Sequence, residues 1–204
     1  MRNIDSIIFD LGGVILNIDN KRTEREFVAL GAKDFGLYFG HGHAASFFKD
    51  YEVGKISDEQ FVSDLKKMIN VDLTDELIIN AWNALLMDFP PERIELLKSI
   101  REKYRLLLFS NTNSLHMEAV RKIFREAFGG QDLDDLFDKA YYSHILGMRK
   151  PDKEPFQLIA RENGLDPSRT LFVDDALVNV NGAELAGLKG FYLPPGITIM
   201  DVRW

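Results

Sequence analysis

The chain has 204 residues, no cysteine and a formal net charge of −7. That length suits one large domain, or one domain carrying a smaller insert, and it can bury a full core without covalent staples. The absence of cysteine excludes a disulfide scaffold, a thiol nucleophile and a thiolate metal site. The acidic balance argues against a general nucleic-acid binder, which would show a basic face. With 46% hydrophobic and 28% charged residues the composition is that of a globular protein. No apolar run approaches the length that spans a bilayer, and the first residues are interrupted by acids. The expectation is a soluble, cytoplasmic protein with no membrane partner.

Short apolar runs alternate with longer periodic stretches. Ile7-Ile8-Phe9 comes first and leads into Asp10-Leu11-Gly12-Gly13. Such a run, without period-2 alternation, reads as a strand buried on both faces of a parallel sheet. From about Asn20 to Leu86 the rhythm changes. No strand run appears there, and the spacing predicts helices over Arg22–Leu30, Ser57–Ile69 and Asp75–Leu86. Ser57 with Gln60 reads as a capping box. Pro91 to Lys103 is helical, with the proline at its first turn. Leu106 to Phe109 is the second strong strand, followed by Ser110-Asn111-Thr112-Asn113 and a helix over Ser114–Phe128. Ala140-Tyr141-Tyr142 is a weaker strand, and Glu154–Asn163 a helix stopped by Gly164. Leu171-Phe172-Val173 precedes Asp174-Asp175, a helix from Ala176 to Ala186, and a last weak strand, Gly190 to Leu193. Strand–helix alternation predicts an α/β fold with a Rossmann-like parallel sheet. The strandless region reads as an inserted helical cap over residues 19–87, leaving 1–18 and 88–204 as the core.

Three polar clusters each follow a buried strand: Asp10, Ser110–Asn111 and Asp174–Asp175. In a parallel sheet the carboxyl ends of the strands share one edge, where ligand sites form. Asp10 and Asp174 supply two hard oxygen ligands of the kind Mg²⁺ prefers. Gly12 and Gly13 allow close backbone approach. A carboxylate nucleophile splits a hydrolysis through a covalent intermediate. Ser110 and the N–H groups after it are suited to phosphate oxygens. Lys150, in Gly147-Met148-Arg149-Lys150-Pro151-Asp152, would neutralise the crowded negative charge. Any one cluster alone is an ordinary turn composition; three in register with a lysine are not.

On these motifs the chain resembles the haloacid dehalogenase-like (HAD) hydrolases, in particular the capped phosphatase branch that includes phosphatases of glucose 1-phosphate. The motifs are Phe9 to Val14, Leu108 to Asn113, Gly147 to Asp152 and Phe172 to Asn179. Gly54-Lys55-Ile56-Ser57 is similar to the cap of that group. The resemblance implies a Mg²⁺-dependent phosphatase of small phosphorylated metabolites, acting on a small phosphate ester. It implies Asp10 as nucleophile, becoming an aspartyl-phosphate, with Asp10, Asp174 and the Gly12 carbonyl holding Mg²⁺. Ser110 and the Asn111 backbone N–H would hold the phosphoryl group, and Lys150 would stabilise nucleophile and phosphate. Asp175 would orient Lys150 or the metal's waters, with Asn179 behind them.

One position departs from the pattern. The family's phosphatases carry a second aspartate two residues after the nucleophile as general acid and base, and here that residue is Gly12. General acid–base help is worth ~10²–10⁴-fold. Three readings follow. The leaving group needs little protonation, as in an anomeric sugar phosphate or an acyl phosphate; or the chain is a haloacid dehalogenase, against which the paired Asp174-Asp175 speaks; or it is a catalytically weak binding or regulatory protein. Asp19 is a candidate replacement base, although it reads first as a solvated loop acid at the hinge of the insert. Lys21, Arg22, His41 and His43 are candidate substrate contacts. Phe47, Phe48 and Tyr51 read first as helical core, and the acidic stretch Asp132 to Asp138 as a solvated turn.

Overall fold

The computed structural model describes residues 3–38 and 46–204. His41 and His43 lie outside them. Five parallel strands form one sheet in the order β3-β2-β1-β4-β5: β1 Ser6–Phe9, β2 Arg105–Ser110, β3 Lys139–Tyr142, β4 Thr170–Asp174 and β5 Lys189–Tyr192. The three central strands are almost wholly buried and the two edge strands only in part. This is why the central strands read as unbroken apolar runs.

Successive side chains of a strand point to opposite faces, and the sheet sorts them accordingly. Ile7, Phe9, Leu106, Leu108, Leu171 and Val173 join one core beneath α6 (Pro91–Ile100) and α7 (Ser114–Ala127). Ile8, Leu107, Phe109 and Phe172 join the other, with Phe156 and Ile159 of α9 (Lys153–Glu162) and Ala183 of α10 (Leu177–Leu185). A four-residue α8, Ser143–Leu146, follows β3.

Between β1 and α6 the described residues form five helices and no strand of the sheet: α1 Asn20–Ala29, α2 Phe35–Tyr38, α3 Ser46–Glu52, α4 Asp58–Ile69 and α5 Asp75–Asn83. They enclose their own aromatic cluster of Phe27, Phe35, Phe48, Tyr51, Phe61 and Trp82, to which α7 contributes Leu115. The chain leaves and re-enters the sheet region along one antiparallel seam. There Asn17 N–H donates to Asp88 O at 2.9 Å and Asp19 N–H to Leu85 O at 2.9 Å.

A polar knot ties the insert to α7. Tyr51 Oη donates to Asp58 Oδ1 at 2.7 Å, Ser114 Oγ donates to the same carboxylate, and Leu115 N–H donates to Tyr51 Oη at 3.3 Å. The expected capping box forms by half. Ser57 Oγ accepts from Gln60 N–H at 3.2 Å, but the Gln60 amide turns forward to Asp64 Oδ2 at 2.8 Å. Asp64 lies one turn on, so it offers a charged acceptor that competes with the cap backbone.

Candidate active site

Strand register builds the site. Phe9 of β1 pairs with Leu108 of β2 and Val173 of β4. One residue further on, Asp10 is therefore level with Asp174, the last residue of β4, and one residue short of Ser110, the last of β2. Three residues distant in sequence meet at the carboxyl edge of the sheet, flanking its central strand.

Lys150 comes to them from the loop between α8 and α9. It is 1% exposed, and its Nζ donates to Asp10 Oδ1 at 2.6 Å and to Asp174 Oδ2 at 2.8 Å. Its ammonium lies over the faces of Phe109 and Phe172, 5.5 and 5.2 Å from the ring centroids. The Asn111 side chain holds the loop that carries it. Asn111 Nδ2 donates to Lys150 O and Lys150 N–H donates to Asn111 Oδ1, both at 2.9 Å. Asp174 Oδ1 accepts from Ala176 N–H at 2.7 Å, and both of its oxygens accept from Asn179 Nδ2 at 3.1 Å.

The electrostatics are those of crowded, buried charge. Burial pushes Asp10 up to about 7, helped by the charge of Asp174 and opposed by Lys150. Burial pulls Lys150 down, but the two carboxylates outweigh it and its ammonium is held above its ordinary range. Burial and Asp174 raise Asp175. Asp10, Asp174 and Asp175 each offer a carboxylate oxygen, all within 4.8 Å of one another. Three carboxylates and one ammonium leave a formal −2, which a divalent cation with hard oxygen ligands would neutralise. The donor set fits Mg²⁺.

The two glycines differ. Gly13 has φ +77° and a Cβ there would stand 2.1 Å from Asp175 Oδ2, so only glycine passes. Gly12 is not in the left-handed region, and its nearest neighbour is the flexible end of Ile18, at 3.2 Å from a built Cβ.

An open cavity of about 500 Å³ lies over the cluster. Asp10, Gly12, Ser110, Asn111, Lys150, Asp175 and Asn179 line it from the sheet edge, and Asn20, Phe48, Glu52 and Trp82 from the insert. Ser110 Oγ has no protein partner among the described residues and is available to a ligand. Arg149 bridges the two sides, its Nε 2.5 Å from Glu52 Oε2.

Several expectations are corrected. Lys150 donates to Asp10 and Asp174 and not to Asp175, so of the two roles expected of Asp175 the hydrogen bond to Lys150 is absent, and its carboxylate lies beside those of Asp10 and Asp174. Asp19 is a helix cap: its Oδ1 accepts from Lys21 N–H at 3.0 Å and its Oδ2 pairs with Arg25 at 2.8 Å. Lys21 and Arg22 are exposed outside the cavity, and Asn20 faces it instead. Phe48 is both core and cavity wall, whereas Tyr51 is core. The acidic stretch is structured: Asp132 caps a short 3₁₀ turn, Asp134 accepts from Tyr142 Oη, and Asp138 Oδ2 accepts from Leu106 N–H at 2.9 Å. His116 lines the cavity from α7, which sequence reasoning missed; its position in the first turn after the Ser110–Asn113 loop was the available signal.

A family model for haloacid dehalogenase-like hydrolases matches residues 4–187. The chain belongs to the haloacid dehalogenase-like hydrolases. A D-ribitol-5-phosphate phosphatase of Bacteroides thetaiotaomicron is 32% identical to this hydrolase over 189 residues, 92% of this chain and 91% of the relative. A solved HAD family enzyme of the same organism, a mutant in complex with magnesium and inorganic phosphate, is 31% identical, covers 95% of both chains and superposes with a TM-score of 0.89. A HAD-like family hydrolase of Porphyromonas gingivalis is 32% identical, covering 95% of this chain and 93% of that one, with a TM-score of 0.84. Among the described residues no helix is long and apolar enough to cross a membrane.

Proposed function

We propose that this hydrolase is a Mg²⁺-dependent phosphatase of small polyol or sugar phosphates, working through an aspartyl-phosphate on Asp10. The observation that carries the reading is the buried Asp10–Lys150–Asp174 cluster at the mouth of an open cavity, with a free Ser110 hydroxyl beside it. The relative named for D-ribitol 5-phosphate and the relative holding magnesium and phosphate support the substrate class and the metal.

In this reading Asp10, Asp174 and the carbonyl of Gly12 hold Mg²⁺, which supplies positive charge against the phosphoryl oxygens. A carboxylate oxygen of Asp10 attacks phosphorus in line. The P–O bond to the leaving alcohol breaks, and its electron pair departs with that oxygen. Ser110 Oγ donates to a phosphoryl oxygen, with the Asn111 backbone N–H beside it. Lys150 favours the ionised form of Asp10 against its burial and faces the phosphoryl charge. The departed alkoxide takes a proton from solvent; water then adds to phosphorus, losing a proton to solvent, and the acyl–phosphate O–P bond breaks with its electron pair returning to the Asp10 carboxylate. The insert, residues 19–87, acts as a cap that screens the intermediate from early hydrolysis and selects the substrate. Residues 1–18 and 88–204 act as the catalytic core.

The test is phosphate release from a panel of polyol, sugar, nucleotide and acyl phosphates, with Mg²⁺ and with EDTA, for the wild type and Asp10→Asn. Metal-dependent release that Asp10→Asn abolishes is expected. Full activity in that variant would remove Asp10 as nucleophile. Halide release that survives EDTA would assign a dehalogenase, and silence on every ester a binding role.

A further inference from the structure

His116 is fixed more firmly than a solvent-facing histidine needs to be. Its backbone N–H donates to the cap residue Asn113, at 3.0 Å from Oδ1. Its ring stacks on Trp82 of the insert, 4.8 Å between centroids and 9° between planes. Its Nδ1 lies 2.8 Å from Oδ1 of Asn83, the last residue of α5. An amide oxygen only accepts, so Nδ1 carries the proton of that bond. Burial pushes the imidazole down to about 3, so the ring is neutral at physiological pH. A neutral ring protonated on Nδ1 has a bare lone pair on Nε2. That nitrogen has no protein partner among the described residues, and His116 lines the same cavity as Asp10, Ser110 and Lys150.

We infer that His116 is a specificity-determining residue whose Nε2, set as an acceptor by Asn83, takes a hydrogen bond from a hydroxyl of the substrate's polyol chain. The inference rests on the phosphatase reading above and narrows its substrate class. A neutral acceptor repels a phosphate oxygen, so the phosphoryl end is directed to Ser110 and Lys150 and the hydroxylated end to His116. The ring is a core residue and its partner Asn83 an insert residue, so recognition requires both parts of the chain to be in place. Asn83 acts through His116 and is a positioning residue.

The experiment compares kcat/KM for polyol phosphates (ribitol 5-phosphate, sorbitol 6-phosphate, glycerol 3-phosphate) with that for p-nitrophenyl phosphate, whose leaving group has no free hydroxyl. The proteins are the wild type, His116→Phe, which keeps an aromatic ring against Trp82, His116→Gln, which restores an acceptor, and Asn83→Leu. A lost neutral hydrogen bond is worth about tenfold here. The preference for the best polyol phosphate over p-nitrophenyl phosphate should fall about tenfold in His116→Phe, chiefly through KM, and recover in part in His116→Gln. In Asn83→Leu the preference should fall, and ¹⁵N NMR should show His116 Nε2 gaining proton occupancy. An unchanged preference in a folded His116→Phe, or a wild type with no preference for any polyol phosphate, would overturn the inference while leaving the phosphatase reading intact. A wild type that hydrolyses neither kind of ester would overturn both.

Discussion

Gly12 stands where the family's phosphatases place a proton-transferring aspartate, and the backbone does not require glycine there. A Cβ at Gly12 meets Ile18 Cδ1 at 3.2 Å and nothing else closer than 3.6 Å. The Ile18 methyl must give by a few tenths of an ångström, a rotamer adjustment of about 1 kcal/mol. Replacing glycine also recovers ~0.4–1 kcal/mol by restricting the unfolded chain. The two nearly offset each other, so Gly12→Asp should fold with little change in Tm when Mg²⁺ is present to offset the added carboxylate. Gly13→Ala is the internal contrast. It combines φ +77° with a built Cβ 2.1 Å from Asp175 Oδ2, and the backbone strain alone costs ~1–3 kcal/mol. A positioned general acid is worth ~10²–10⁴-fold on a leaving alkoxide. An aspartate placed without further tuning should recover at least about tenfold of that on ribitol 5-phosphate. It should give no gain on p-nitrophenyl phosphate, whose leaving group departs without a proton. Single-turnover phosphoryl transfer, which isolates the first step, is the assay. A Gly12→Asp protein destabilised as much as Gly13→Ala would refute the packing argument. A folded one with no gain on the alkyl ester would show that proton transfer to the leaving group is already supplied.

Two further outcomes follow from buried charge. Lys150→Met keeps an unbranched apolar side chain but leaves Asp10 and Asp174 facing each other without a cation; urea unfolding in EDTA should show a loss of ~3–5 kcal/mol, and a loss under about 1 kcal/mol would contradict the burial assigned to that cluster. His116 takes a proton near 6.5 when unfolded but only near about 3 when folded, so the stability it contributes is complete above pH 6.5 and is lost as pH falls toward 3, at up to ~1.4 kcal/mol per pH unit. Urea stabilities at pH 7 and pH 5 should therefore fall less steeply in His116→Phe than in the wild type.

The part of the site that lies on the sheet was legible because its residues follow strands buried on both faces. Once Ile7–Phe9, Leu106–Phe109 and Leu171–Val173 are read as neighbouring parallel strands, Asp10, Ser110 and Asp174 must share an edge. Lys150 was legible only through its motif, since nothing in the spacing of a loop says how far its side chain reaches. Asn83 was not legible at all, and His116 only by its place in the first turn after the Ser110–Asn113 loop. They meet because α7 and α5 pack together, and a histidine on an amphipathic helix looks the same whether it faces water or a cavity. Asp19 misled for a related reason: an acid ahead of a helix reads equally as cap or catalyst, and the arginine six residues on decides it. Gly12 and Gly13 are adjacent and identical in sequence, and only the backbone angle and the approach of Asp175 separate a required glycine from a replaceable one.

Helix α7 has a consequence for exchanging inserts between relatives. Its first turn faces two clients at once: Ser114 and Leu115 complete the interior of the insert, while His116 faces the cavity. A chimera that grafts a foreign segment between β1 and β2 would leave a hydroxyl and a leucine without their buried partners. Inserts of this type are therefore portable only as a matched set, segment plus the opening turn of α7. Drift in the insert residues that touch this turn is therefore coupled to the core, whereas Asn20, Phe48 and Glu52 meet the cavity directly.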